Sequence, residues 1–119
     1  MGRPFSVVID CLDPKALAEF WAPVLGYRDA GWPHDSYVVL IGDRGLDPPL
    51  LLLRRVPEPK HGKNPLHIDV YADDIESEAQ RLVALGATRA GVPYEDHDAR
   101  WIAMKVPEGN EFCVSRGVS

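Results

Sequence analysis

Along this chain the apolar positions change period, from two to about 3.6 and back, and then do so again. In FSVVIDC, Val7, Ile9 and Cys11 form one face of a strand, and Ser6, Val8 and Asp10 form the other. A helical pattern follows, with Ala16, Leu17, Phe20, Trp21 and Val24 on one face. Asp13 stands where an N-cap is needed. Pro14 suits the first helical position, where its missing N–H costs nothing, and Gly26 can supply the left-handed stop. Three short strand signals come next, around Tyr27 to Asp29, in SYVVLI (Ser36 to Ile41) and in LLLLRR (Leu50 to Arg55). GWPHD and GDRGLDPP carry the turn chemistry between them.

The second half repeats the scheme. In LHIDVYADDIESEAQRLVALGA, Ile68, Val70 and Ala72 are the apolar set of a strand, while His67, Asp69 and Tyr71 point to the opposite face. Asp73 or Asp74 caps a helix whose stripe is Ile75, Ala79, Leu82 and Val83, and Gly86 ends it. Strand signals follow around Ala87 to Ala90, in RWIAMKV (Arg100 to Val106) and in EFCVS (Glu111 to Ser115), with PEGN as the last hairpin turn. The order is strand, helix, three strands, twice. Each helix covers one face of its own sheet, so the other face must meet the second half or a partner chain. The expectation is an α+β fold of two βαβββ repeats forming paired curved sheets around a cleft. It spans one domain over 1–119, with repeat one at about 4–56, a Pro-rich linker at 57–65 (PEPKHGKNP) and repeat two at 66–116.

Composition narrows the function classes. The 119 residues suit one domain, and 45% hydrophobic with 26% charged is ordinary for a folded chain. A formal net charge of -5 disfavours nucleic acid and is compatible with a cationic or neutral small ligand. Apolar runs are strand-sized and MGRPFSVV has no hydrophobic signal core, so no membrane partner is expected and the cytoplasm is the default location. Cys11 and Cys113 lie far apart without a CxxC spacing and read as reduced, strand-borne thiols, with a disulfide between them left open.

The face turned away from the helices carries the candidate chemistry. Ser6, Val8, Asp10, His67, Asp69 and Tyr71 are expected to line the cleft. Asp10 and Asp69, at matched strand positions, could share a proton, hold a cation, or bond backbone or arginine. A cleft ligand would meet aromatic surface from Tyr71 and Trp101, with Trp32 and Tyr37 as further contributors, and polar anchors in Asp10, Arg54, His67 and Asp69. His67 is the candidate catalytic base, with Asp69 or Asp10 as its acid/base partner. His34, His61 and His97 fall in loops and read as solvated, with His97 between two carboxylates in EDHDAR.

The segments VIDCLDPKALAEFWAPVLGY, LHIDVYADDIESEAQRLVALGA and VPEGNEFCV resemble the vicinal oxygen chelate superfamily, in its glyoxalase-like domain group, which includes glyoxalases, bleomycin resistance proteins and dioxygenases. The resemblance implies a metal-ligand set from the first and last strands of each half. Those positions here are Ser6, His67, Cys113, where metal-dependent relatives have Glu, and Leu52 or Arg54. Only His67 and Cys113 are donors at those positions, with Asp10 or Asp69, also cleft-facing, as candidates to stand in, and two donors do not hold a divalent ion firmly. No cofactor is therefore expected, and a divalent metal is disfavoured. The expected function is small-molecule binding without the full metal set, with Asp10, Arg54, Tyr71, Trp101 and Cys113 as ligand contacts. The alternative is a metal-dependent lyase, isomerase or dioxygenase of the same superfamily, and a third reading is an accessory module with a vestigial cleft. Paired sheets with exposed edges point to a homodimer.

Overall fold

Local chemistry sets the element boundaries. The computed structural model describes residues 3–32, 34–43, 49–96 and 98–116; His97 and most of GDRGLDPP lie outside the described residues. Strand β1 (Ser6–Cys11) leads into helix α1 (Pro14–Leu25). A carboxylate oxygen of Asp13 accepts from the Ala16 N–H at 3.1 Å, which satisfies one of the orphan donors of the helix start. Gly26 closes the helix at φ +69°, a left-handed conformation that costs glycine little. The buried side of α1 is Leu17, Ala18, Phe20, Trp21 and Val24. Ala16, expected on that face, is exposed, because it falls outside the buried arc that Ala18 enters.

Helix α2 (Ile75–Ala84) is capped by Asp74, whose carboxylate accepts from the Ser77 N–H at 3.1 Å. Its buried residues are Ile75, Ala79 and Leu82. Val83, expected on the same stripe, is 45% exposed, since the stripe at this helix is only one ridge wide.

The first sheet has the order β1-β4-β3-β2, with β2 at Arg28–Asp29, β3 at Tyr37–Ile41 and β4 at Leu50–Arg55. Strands β1 and β4 are parallel neighbours, so the chain between them must cross over, and α1 lies in that crossing, packed on one face of the sheet. The second sheet has the order β5-β9-β8-β6, from β5 (Ile68–Tyr71), β6 (Thr88–Arg89), β8 (Ala99–Lys105) and β9 (Glu111–Arg116). An additional short strand, β7 (Tyr94–Asp96), pairs with β8 and has no counterpart in the sequence reading.

The chain divides into two compact units, Met1–Pro59 and Lys60–Ser119, with the division inside the Pro-rich stretch. The second part of that stretch is held to the last hairpin. Lys60 Nζ lies 2.9 Å from a Glu111 carboxylate oxygen, and the Asn64 side-chain amide donates to Asn110 at 2.9 Å. Leu40, Leu51 and Leu53 pack with Leu17, Phe20 and Trp21 in the core of the first unit, and Leu82, Ile102, Met104, Phe112 and Val114 fill that of the second. Among the described residues no helix is long and apolar enough to cross a membrane.

Candidate functional site

Strand alternation builds the site. On β5, β8 and β9 the buried set, Val70, Ile102, Met104, Phe112 and Val114, turns toward α2, and the positions between them turn away. Register then decides which of the turned-away side chains meet. Asp69 is opposite Cys113, and Cys113 is opposite Ala103. One step along, Tyr71 is opposite Ser115, Ser115 is opposite Trp101, and Trp101 is opposite Tyr94. The result is two adjacent rows on one face, the first carrying acid and thiol, the second aromatic.

His67 precedes β5 and shares the side of Asp69. Its Nε2 lies 3.0 Å from a carboxylate oxygen of Asp69, with the imidazole 45% exposed and the carboxylate 16%. Donor atoms of His67, Asp69 and Cys113 all lie within 4.8 Å of one another. Burial pushes the Cys113 thiol up, the charge of Asp69 adds to the rise, and Lys63 opposes it, so the resting sulfur is the protonated thiol. Tyr94 and Trp101 stack with ring centres 5.8 Å apart, and Tyr71 is 63% exposed at the far end of the same row. Between them Ser115 is fully buried, and its hydroxyl has no hydrogen-bond partner among the described residues.

This donor set can be tested against the divalent metal that the fold family implies. Catalytic zinc sites use three protein ligands of imidazole, carboxylate or thiolate type and leave a fourth position open. The sequence reading counted two donors at the family positions, His67 and Cys113, and left Asp10 or Asp69 as the stand-in. Geometry brings Asp69 to them as a third, because parallel pairing of β5 with β9 sets it directly opposite Cys113. The three residues fit a zinc-like cation, provided Cys113 gives up its proton on binding.

In the first unit, Asp10 and Arg54 are cross-strand partners on β1 and β4. Arg54 donates to one oxygen of Asp10 from both Nε, at 3.1 Å, and Nη2, at 2.9 Å, with both side chains about half exposed. Asp10 is thus arginine-bound, and the pair stands open to solvent. Cys11 is a buried thiol on the face of the sheet toward α1, donating to the Arg54 carbonyl. Sequence reasoning passed over Ser115, Tyr94 and Lys63. Of these only Tyr94 left a signal, as an aromatic residue seven positions before Trp101 in a polar loop.

A family model for a glyoxalase-like domain matches residues 6–115. No curated protein matches the chain. Among solved structures, one similar to it is a glyoxalase/bleomycin resistance protein/dioxygenase family enzyme from Burkholderia phytofirmans PsJN, with 16% identity, a TM-score of 0.79 and coverage of 98% of this chain and 100% of that one. The fosfomycin resistance protein FosX from Mesorhizobium loti is 15% identical, with a TM-score of 0.70 over 95% of this chain and 90% of its own. TioX from Micromonospora sp. ML1 is 18% identical, with a TM-score of 0.67 over 98% and 100%. At these identities the likeness concerns the fold.

Proposed function

The chain belongs to the glyoxalase-like domain family of the vicinal oxygen chelate superfamily, and from that premise we propose that it binds a small cationic or aromatic molecule on the face of its second sheet turned away from α2. One observation carries the reading: the row Tyr71–Ser115–Trp101–Tyr94 runs beside the row Asp69–Cys113, so aromatic surface and a carboxylate face the same space. A ring can lie against the Tyr94–Trp101 stack while Asp69 meets a positive charge. His67, held by Asp69 and largely open, serves as polar anchor or as a base for a proton on the ligand.

The three-donor cluster favours a second reading. A cation held by His67, Asp69 and Cys113 would polarise substrate oxygens as a Lewis acid. The chain would then be a lyase, isomerase or dioxygenase of the superfamily. Because Cys113 must lose its proton, metal affinity would rise with pH.

Elemental analysis of the purified protein, repeated after dialysis against nickel, zinc, iron and manganese, separates the two. A stoichiometric metal that is lost in both His67→Ala and Cys113→Ser overturns the metal-free reading. No retained metal, together with thermal stabilisation by aromatic cations that Asp69→Asn abolishes, supports it. Neither result sinks both readings. A cytoplasmic location and an assembly of two copies complete the proposal.

A further inference from the structure

The first unit holds a cavity of about 450 Å3, inside the range of roughly 300–1,000 Å3 usual for small-ligand pockets. Its walls are the first turn of α1, the β2–β3 connection and the adjoining ends of β3 and β4. His67, Asp69, Tyr71 and Cys113 are not among them. The sequence reading grouped Trp32 and Tyr37 with Tyr71 and Trp101; here Trp32 and Tyr37 belong to this cavity, and the other two to the second sheet.

Alternation again assigns the side chains. Leu51 and Leu53 of β4 are buried toward α1, and Arg55 continues that side, while Arg54 on the opposite side meets Asp10. Arg55 therefore reaches the cavity, as does Lys15. Neither has an ion-pair partner among the described residues. Two carboxylates line the same space. Asp29 accepts from the Gly31 N–H at 2.7 Å, which shapes the connection, and Asp35 has no ion-pair partner among the described residues.

The cavity also has aromatic walls. Trp32 is 56% exposed beside it. His34, expected to be simply solvated, is exposed but stacks on Tyr37, with ring centres 4.1 Å apart and planes 22° from parallel. The Ser36 N–H donates to His34 Nδ1 at 3.0 Å, so the neutral ring carries its proton on Nε2 and offers it as a donor.

Charges of both signs decide the ligand class. A purely anionic molecule would be opposed by Asp29 and Asp35, and a purely cationic one by Lys15 and Arg55. A molecule bearing one of each can meet a complementary charge for both of its groups. We infer that this cavity binds a small aromatic zwitterion of amino-acid size, its ring against Trp32 and the His34–Tyr37 stack, its carboxylate on Arg55 and Lys15, and its ammonium on Asp29 and Asp35.

The test is a titration of the 15N-labelled protein with L-phenylalanine, 3-phenylpropionate and 2-phenylethylamine, followed by amide chemical shifts. L-Phenylalanine is expected to move the Gly31, Asp35 and Val38 amides and the Trp32 indole N–H, with a Kd at least about tenfold below those of the two singly charged compounds. Arg55→Ala and Trp32→Ala, both at exposed positions, should each weaken it about tenfold, and Lys105→Ala should not. The inference is overturned if these amides stay still at millimolar L-phenylalanine, or if the three compounds bind alike. It is also overturned if shifts are confined to His67, Asp69 and Cys113, an outcome that leaves the reading of the second sheet intact.

Discussion

The fold sets the protonation of Cys113 through its immediate neighbours. Burial and the neighbouring Asp69 carboxylate hold its proton on, while Lys63 works against them. With metal removed by a chelator, alkylation of Cys113 by iodoacetamide should accelerate only above the ordinary thiol range. Asp69→Asn removes a charge that disfavours the thiolate, so the rate profile should move to lower pH. Lys63→Ala removes a charge that favours it, so the profile should move to higher pH. Peptide mass spectrometry resolves Cys113 from the buried Cys11, and identical profiles in all three proteins would refute this electrostatic account. The side on which His67 and Asp69 sit was legible from a period of two in a single strand. Their distance from the sulfur was not, because Asp69 and Cys113 are far apart in sequence and meet only through strand pairing.

Helix α2 shows what an element owes to its ends. Two aspartates precede it, and from the sequence either can cap. The hydrogen bond to the Ser77 N–H selects Asp74. Asp74→Ala should cost about 1 kcal/mol in urea unfolding, whereas Asp73→Ala should cost far less; equal losses would contradict the cap. Along the same helix Arg81 holds the Glu78 carboxyl below the usual range, mainly through a hydrogen bond, with bonds of 2.7 and 2.9 Å. A carboxyl lowered on folding contributes stability above its unfolded pKa and loses it as pH falls through the folded value. Glu78→Gln should therefore be less stable than the parent at neutral pH, by about 0.3–0.5 kcal/mol, and indistinguishable from it in strong acid. Strand β7 escaped notice because Tyr94–Asp96 is too short to show a period; only its pairing with β8 makes it a strand.

At the scale of the whole molecule, β1 and β5 are edge strands of their sheets. Exposed apolar groups flank or occupy both, with Phe5 at 64%, Val8 at 50% and Leu66 at 63%. Such edges invite pairing with a second chain. Sedimentation velocity should accordingly give twice the 13.2 kDa of one chain, and Val8→Lys should return it toward one; a parent protein that sediments as a single chain would rule out the dimer. The sequence by itself determined the two βαβββ repeats, the Asp13 cap of α1 and which side of each strand is polar. These depend on periods and contacts within a few residues, and such local energetics survive without knowledge of the rest of the chain. Only the tertiary structure decided that Asp69 joins His67 and Cys113, that Asp10 is bound by Arg54, and that Trp32 and Tyr37 line a cavity with Arg55 and Lys15. Those meetings depend on strand register and on crossovers between distant segments, which long-range packing selects among many pairings that the same local pattern allows.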